Sequence, residues 1–260
     1  MQTIRLHSRG GPEALVVEEV ETPRAGEGEA LVRVHAAAIT RGELEWPVDR
    51  LPAIPSYEVS GEVVEGESAG ALVYALTPFD RDGAAAEYVV VPEDLLAPKP
   101  SSLGHVESAA LPMPALTAWR GLFTHGGLEP EETVLVTGAN GGVGHVAVQL
   151  ARHIGAEVLT DADERDGAVD LVFDTAGGDL LSKSDGRRVV SIAEQPPGDG
   201  IYFVVEPDQA QLAELAQLVD QGKLHPEIDS TFSLADARAA FERSVARGKH
   251  GKVVLRVIDE

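Results

Sequence analysis

The chain has 260 residues, enough for one large domain or two modest ones with separate cores. Its 43 acidic residues against 21 basic ones give a formal net charge of −22, which repels phosphate backbones and argues against nucleic acid or membrane as partners. It has no cysteine, which excludes disulfides, thiolate nucleophiles and cysteine-ligated zinc. The first residues lack a basic-then-apolar leader and no run of eighteen apolar residues occurs, so a cytoplasmic protein is expected.

The first hundred residues read as β-rich. Short β-branched or alternating runs lie at Ile4–Leu6, Leu15–Glu19, Ala30–Ala36, Glu58–Glu65, Ala71–Ala75 and Glu87–Pro92. Gly10-Gly11-Pro12 and Pro23–Gly28 punctuate them. This spacing suits a partly closed antiparallel barrel. The period then changes. Val106–Leu111 reads as a short helix, and Pro114 can open another that Gly126-Gly127 closes. Thr133–Thr137 has the apolar character of a strand buried on both faces, and a helix runs from Val143 to Ile154. Glu157–Thr160, Val169–Asp174, Arg188–Ile192 and Ile201–Val205 read as further strands, and Asp208–Gln221 as an amphipathic helix. Ser233 to Asp236 looks like a capping box opening a helix to Val245, before a last strand at Lys252–Ile258. The alternation of strand and helix argues for a parallel sheet.

The sharpest local signal is Thr137-Gly138-Ala139-Asn140-Gly141-Gly142-Val143-Gly144, between a strand and a helix. A glycine triplet alone is weak, and this context is what gives it meaning. Glycine lets backbone N–H groups approach a pyrophosphate, and the helix start adds partial positive charge. Asp161 follows Gly141 by twenty residues and is placed to bind ribose hydroxyls, unless it is simply one of the solvated acids Asp161, Asp163, Glu164 and Asp166.

These residues resemble the medium-chain dehydrogenase/reductase superfamily, in particular its zinc-independent quinone oxidoreductase branch. The likeness runs through Gly10–Leu15, Gly28–Val34, Ala37–Thr40, Ala86–Val89, Leu116–Trp119, the glycine turn, Asp174–Gly178 and Gly251–Leu255. It implies an α/β protein. A GroES-like β-barrel substrate domain would take residues 1–113 with 229–260, and a reduced Rossmann domain, lacking an edge strand unit, residues 114–228. It also implies NADPH or NADH bound between the two, hydride transfer to an enone or quinone, and a homodimer. Zinc is not expected, because Tyr57-Glu58 stands where the zinc-dependent branch has a histidine before its glutamate. Carried over residue by residue, Thr117 faces the nicotinamide. Gly138, Ala139, Asn140, Gly141, Gly142, Val143 and Gly144 line the pyrophosphate, and Ala176 and Gly177 border the nicotinamide ribose. Phe203 and Val205 lie near the carboxamide, though both are equally suited to a strand core. Charge building on the substrate oxygen calls for a donor, and Thr40 and Tyr57 are the candidates. Trp46, Tyr57 and Phe79 suggest an apolar wall and a small hydrophobic substrate, though each could equally be core.

The chain is shorter than that family's pattern. Only Asp161–Ala168 separates two strands where a helix, strand and helix are usual, and eight residues cannot make a parallel crossover, which needs a dozen or more. Asp179–Arg187, Ser191–Ile201, Glu65–Ala71 and Trp46–Leu51 are also short. Carboxylates beside Thr160 disfavour a 2′-phosphate and so NADPH. Two functions therefore compete: an NAD(P)H-dependent reductase, and a redox-neutral cyclase or isomerase reusing the scaffold. A non-catalytic binding protein is a third. In either case Gly144→Val is expected to remove cofactor binding without unfolding the chain.

Overall fold

A computed structural model of the chain describes residues 1–47, 50–160, 169–178 and 186–258. The chain divides into two compact units. The first comprises Met1–Pro112, Glu206–Asp220 and Pro226–Glu260; the second comprises Met113–Val205 and Gln221–His225. The segment Glu206–Asp220, expected in the second domain, thus groups with the first.

The first unit holds β1 (Gln2–Leu6), β2 (Leu15–Glu19), β3 (Glu29–Ile39), β4 (Glu58–Glu65), β5 (Leu72–Leu76), β6 (Tyr88–Pro92), β7 (Ala97–Pro98) and α1 (His105–Ala109). Near the chain's end it adds β13 (Ile228–Ser233), helix Ala237–Val245 and β14 (Lys252–Arg256). A seven-stranded sheet runs β13-β14-β3-β4-β5-β7, with β6 also on β3. Alternate residues of β3, such as Ala30, Val32 and Val34, face a core with Val59, Val63, Val73 and Val91. The pairing is antiparallel except at β13–β14, which is parallel. That strand was not expected, because Ile228-Asp229-Ser230-Thr231-Phe232-Ser233 carries acid and hydroxyls at an edge that solvent wets. Ser233 does not cap the next helix as expected. Its hydroxyl donates to the Asp236 carboxylate (2.6 Å), so no side chain caps the backbone there.

In the second unit, α2 (Pro112–Trp119) runs on into a π-helical turn over Arg120–His125. Then follow β8 (Thr133–Thr137), α3 (Gly144–His153), β9 (Glu157–Thr160), β10 (Val169–Asp174), β11 (Gly186–Ser191) and β12 (Ile201–Tyr202). The five strands are parallel in the order β12-β11-β10-β8-β9. This is the Rossmann arrangement with β9 at one edge among the described residues. Although only eight residues separate β9 from β10, the two strands run parallel in one sheet. The expectation that eight residues are too few for such a connection is not met; residues 161–168 themselves lie outside the described residues. The strand expected over Ile201–Val205 stops at Tyr202, because its partner β11 ends at Ser191, which pairs with Tyr202.

The π-helical turn has a packing cause. A Cβ on Gly121 would overlap the ring of Phe173, which is fully buried in β10. The wider turn and the missing side chain together let the helix lie on that ring. Gly121→Ala should therefore destabilise the chain by about 1–3 kcal/mol through overpacking. A thermal melt matching that of the parent would show that Phe173 does not fill this space.

Candidate functional site

In the second unit the strand ends are tied together by one carboxylate. Thr137, Asp174 and Ser191 stand opposite one another at the carboxyl ends of β8, β10 and β11. Fully buried Asp174 accepts from the Thr137 hydroxyl (2.5 Å), the Ser191 hydroxyl (2.6 Å) and the N–H groups of Ala176 (3.2 Å) and Gly177 (2.9 Å). Thr175 closes the same knot, its hydroxyl donating to the Thr137 carbonyl (2.7 Å) and its N–H to the Thr137 hydroxyl (3.1 Å). A buried carboxylate that receives four donors has its oxygens satisfied and fixes the loops that hold those donors.

The glycine turn rises from this knot. Gly138 has φ 66°, a conformation few residues besides glycine adopt, and a Cβ there would meet the Thr175 hydroxyl at 2.6 Å and the Ala176 methyl at 3.2 Å. Gly141 N–H bonds the Gly138 carbonyl (2.8 Å), and the Nδ1 of His145 lies 2.9 Å from the Gly141 carbonyl. The N–H groups of Gly142 and Val143 have no acceptor among the described residues. Open donors at the start of α3 fit an oxyanion, and so these residues fit a dinucleotide's pyrophosphate. At Gly144 a Cβ would overlap the Gly138 carbonyl, so Gly144→Val would disrupt the turn itself rather than leave the fold untouched.

The knot thus brings together Gly138 through Gly144 with Ala176 and Gly177. Phe203 joins through its N–H to the Ser191 carbonyl (3.4 Å), its ring 4.5 Å from that of His125. Val205 is buried. Thr117 is buried in α2, and its hydroxyl has no partner among the described residues. Asp161 lies outside the described residues.

In the first unit, β14 pairs with β3 so that Val253 faces Ile39, which sets Lys252 beside Thr40; Ala38 in turn pairs with Glu58. Three polar side chains therefore meet at one end of an apolar sheet. Lys252 Nζ donates to Glu58 Oε1 and to Thr40 Oγ1 (3.2 Å), and Thr40 Oγ1 donates to Glu58 (3.1 Å). Beneath them the Glu43 carboxylate accepts the N–H groups of Thr40 (3.0 Å) and Ser56 (3.0 Å), the latter in the left-handed region at φ 67°. Burial pushes the Glu43 acid up to about 8, opposed by the Thr40 N–H and the Lys252 charge and helped by Glu58.

Tyr57 stacks on Trp46 (5.9 Å) and meets Phe79 edge-on (5.2 Å), so the three rings form one cluster. Burial, then the nearby Glu43, pushes the Tyr57 phenol up to about 12, which keeps its proton in place. That hydroxyl has no partner among the described residues, whereas the Thr40 hydroxyl donates its hydrogen bond to Glu58. Asp174, Ser191, Glu43, Glu58 and Lys252 were not singled out from the sequence. Available signals were charge set inside apolar runs, as in Gly251-Lys252-Val253-Val254, and the place of Asp174, Glu58 and Lys252 in segments that carry the family likeness.

Comparison with known proteins agrees with this geometry. Residues 26–101 match the family model of the alcohol dehydrogenase GroES-like domain, and residues 151–255 that of the zinc-binding dehydrogenase. A probable zinc-binding oxidoreductase of Arthroderma benhamiae is 31% identical, over 91% of this chain and 90% of its own. The chain belongs to the medium-chain dehydrogenase/reductase superfamily. Within it, this quinone oxidoreductase-like member is 30% identical to the 2-methylene-furan-3-one reductase of Solanum lycopersicum, over 96% of this chain and 77% of that protein. The quinone oxidoreductase of Coxiella burnetii superposes with a TM-score of 0.90 at 26% identity, covering 99% of both chains. That of Thermus thermophilus, described with its NADPH complex, gives 0.82 at 31%, covering 99% of this chain and 100% of its own. The alignment with the Arthroderma protein spans 299 positions, more than this chain's 260 residues, so parts of that relative have no counterpart here.

A zinc ion, which the second family model's name implies, does not suit the residues present. Tyr57 and Thr40 are poor zinc ligands, and Glu58 already holds the Lys252 ammonium in a buried pair. No cluster of three His, Asp or Glu side chains able to hold a metal occurs among the described residues.

Glu43 has a stability consequence whose sign is fixed. Its folded acid is weaker than its unfolded one, so the folded state binds the proton more tightly and stability falls as pH rises from about 4.5 to about 8. Thermal melts across this range should show that decline in the parent and a shallower one in Glu43→Gln. Equal slopes would show that Glu43 is ionised throughout.

Proposed function

We propose that this chain is a zinc-independent, NAD(P)H-dependent reductase of enone- or quinone-type substrates. The observation that carries the reading is the open glycine turn, whose free N–H donors and Cβ-free packing suit a pyrophosphate. The names of its relatives support the same class: a 2-methylene-furan-3-one reductase, and a quinone oxidoreductase solved with NADPH. The cofactor supplies a hydride when bound. This chain's residues do the rest. Residues 138–144 hold the pyrophosphate, Ala176 and Gly177, positioned by Asp174, border the ribose, and Thr117, Phe203 and Val205 lie toward the nicotinamide. The Tyr57 hydroxyl donates to the substrate oxygen as negative charge builds there. Thr40 orients Glu58 and Lys252 rather than donating itself. No observation favours a redox-neutral reaction. A preference for NADH over NADPH remains part of the reading through Asp161.

A homodimer and a cytoplasmic setting belong to the same proposal. The edge at β12 supports the dimer: Ile201, Tyr202 and Val204 are all exposed there, the last at 63%, as an unpaired apolar edge would be before a second copy covers it. No helix among the described residues is long and apolar enough to cross a membrane.

Steady-state assays of NADPH and NADH consumption with an enone and with a benzoquinone test the function. The parent should oxidise cofactor only when acceptor is present. Tyr57→Phe should lower kcat by about 10²-fold, the usual effect of removing one oxyanion donor, with little change in KM. Parent that never consumes cofactor would refute the reductase. A Tyr57→Phe protein with unchanged kcat would remove Tyr57 from the chemistry.

A further inference from the structure

One buried acid beside the aromatic cluster takes no direct part in the reduction. Glu43 opens the 3-10 turn Glu43–Glu45, and each of its carboxyl oxygens serves a different segment. Oε2 accepts the N–H of Thr40 (3.0 Å), three residues back. Oε1 accepts the N–H of Ser56 (3.0 Å), thirteen residues on, and lies 3.5 Å from the Ser56 hydroxyl. Ser56 is wholly buried at φ 67°, in the left-handed region that a serine keeps only where its surroundings hold it. The hold is two-sided, with the Glu43 carboxyl on its N–H and the Ala84 N–H on its carbonyl (2.5 Å). Tyr57 follows directly, and its own carbonyl accepts the Thr77 N–H (2.7 Å) and hydroxyl (3.1 Å). The Glu43 main chain holds a second ring, since its carbonyl accepts the Trp46 N–H (3.2 Å) and Trp46 stacks on Tyr57. Both rings of the stack therefore hang from one residue, Tyr57 through the Glu43 side chain and Trp46 through its backbone.

We propose that Glu43 is the positioning residue for the Tyr57 hydroxyl: by spanning from Thr40 to Ser56 it maintains the left-handed turn that aims the phenol, and so governs the chemical step without touching substrate. This rests on the reductase reading and deepens it. The span needs the length of the Glu43 side chain. Glu43→Asp could still serve Thr40, three residues away, but its arm is a methylene shorter and falls short of Ser56. Glu43→Gln keeps the length and one carbonyl acceptor. Ser56→Gly would take the left-handed turn unaided. The three changes separate the reach of the side chain, its hydrogen bonding and the turn it maintains.

The test uses the full chain. It joins kinetics on NADPH and an enone to the near-ultraviolet circular dichroism of the Trp46–Tyr57 stack, a signal that Trp46→Phe identifies. Thermal melts establish that each variant is folded. Glu43→Asp should lower kcat about tenfold with KM unchanged, the split expected when alignment rather than binding is lost, and should weaken the stack's signal. Glu43→Gln should keep kcat within about threefold of the parent, because its carbonyl still accepts. Adding Ser56→Gly to Glu43→Asp should restore both kcat and the signal, which a general loosening of the fold would not allow. If Glu43→Asp does not melt cooperatively, Glu43→Met, which keeps the length and loses both acceptors, carries the same expectation. A Glu43→Asp protein with the parent's kcat and signal, a rise in KM in place of the fall in kcat, or a loss that Ser56→Gly does not repair would overturn the assignment. If the signal follows the expected pattern but the parent never oxidises NADPH, the hold on Tyr57 stands and the reductase reading falls. If the parent reduces the enone while the signal is the same in every Glu43 variant, the reading stands and the positioning role falls.

Discussion

The second unit depends on what a single buried carboxylate does at the ends of three parallel strands. Asp174 has no solvent to satisfy it, so the hydroxyls of Thr137 and Ser191 and two backbone N–H groups must. Meeting that requirement locks β8, β10 and β11 in register and bends the chain at Ala176 and Gly177. It also sets Thr175 against Gly138, which forces the left-handed turn from which the glycine segment starts. The residues that shape the dinucleotide turn are therefore several steps removed from it in sequence. They persist although the connections after β9 and β10 are short.

The first unit solves a different electrostatic problem. This chain sets the Lys252 ammonium against Glu58 inside an apolar sheet end. Such a pair is costly to bury and is tolerated when each partner is matched and further hydrogen-bonded, as Thr40 does here for both. The arrangement leaves Glu43 buried as a weak acid and Tyr57 as a phenol that keeps its proton.

Much of the architecture was legible because periodicity and glycine placement are local properties. The apolar run Thr133–Thr137, the glycine turn and the helix after it could be read directly, as could most barrel strands. What could not be read came from tertiary partners. The π-helical turn at Arg120–His125 answers to Phe173, fifty residues on, and β12 ends at Tyr202 because β11 has ended. The strand β13 lacks an apolar pattern and forms because β14 pairs with it. Among site residues, the glycine turn and the aromatic wall were visible. The hydrogen bond from Thr40 to Glu58 was not, since only the folded register creates it. Gly144 was legible as a motif residue, but its contact with the Gly138 carbonyl was not.

The account stands on the second unit retaining a working dinucleotide cradle despite its shortened connections. Isothermal titration of the full chain with NADPH and NADH measures this most directly. Saturable binding of at least one of them to a single site per chain, at sub-millimolar concentration and weakened in Asp174→Asn, is the predicted result. A parent protein that binds neither dinucleotide at millimolar concentration, while melting cooperatively as a folded protein, would contradict it.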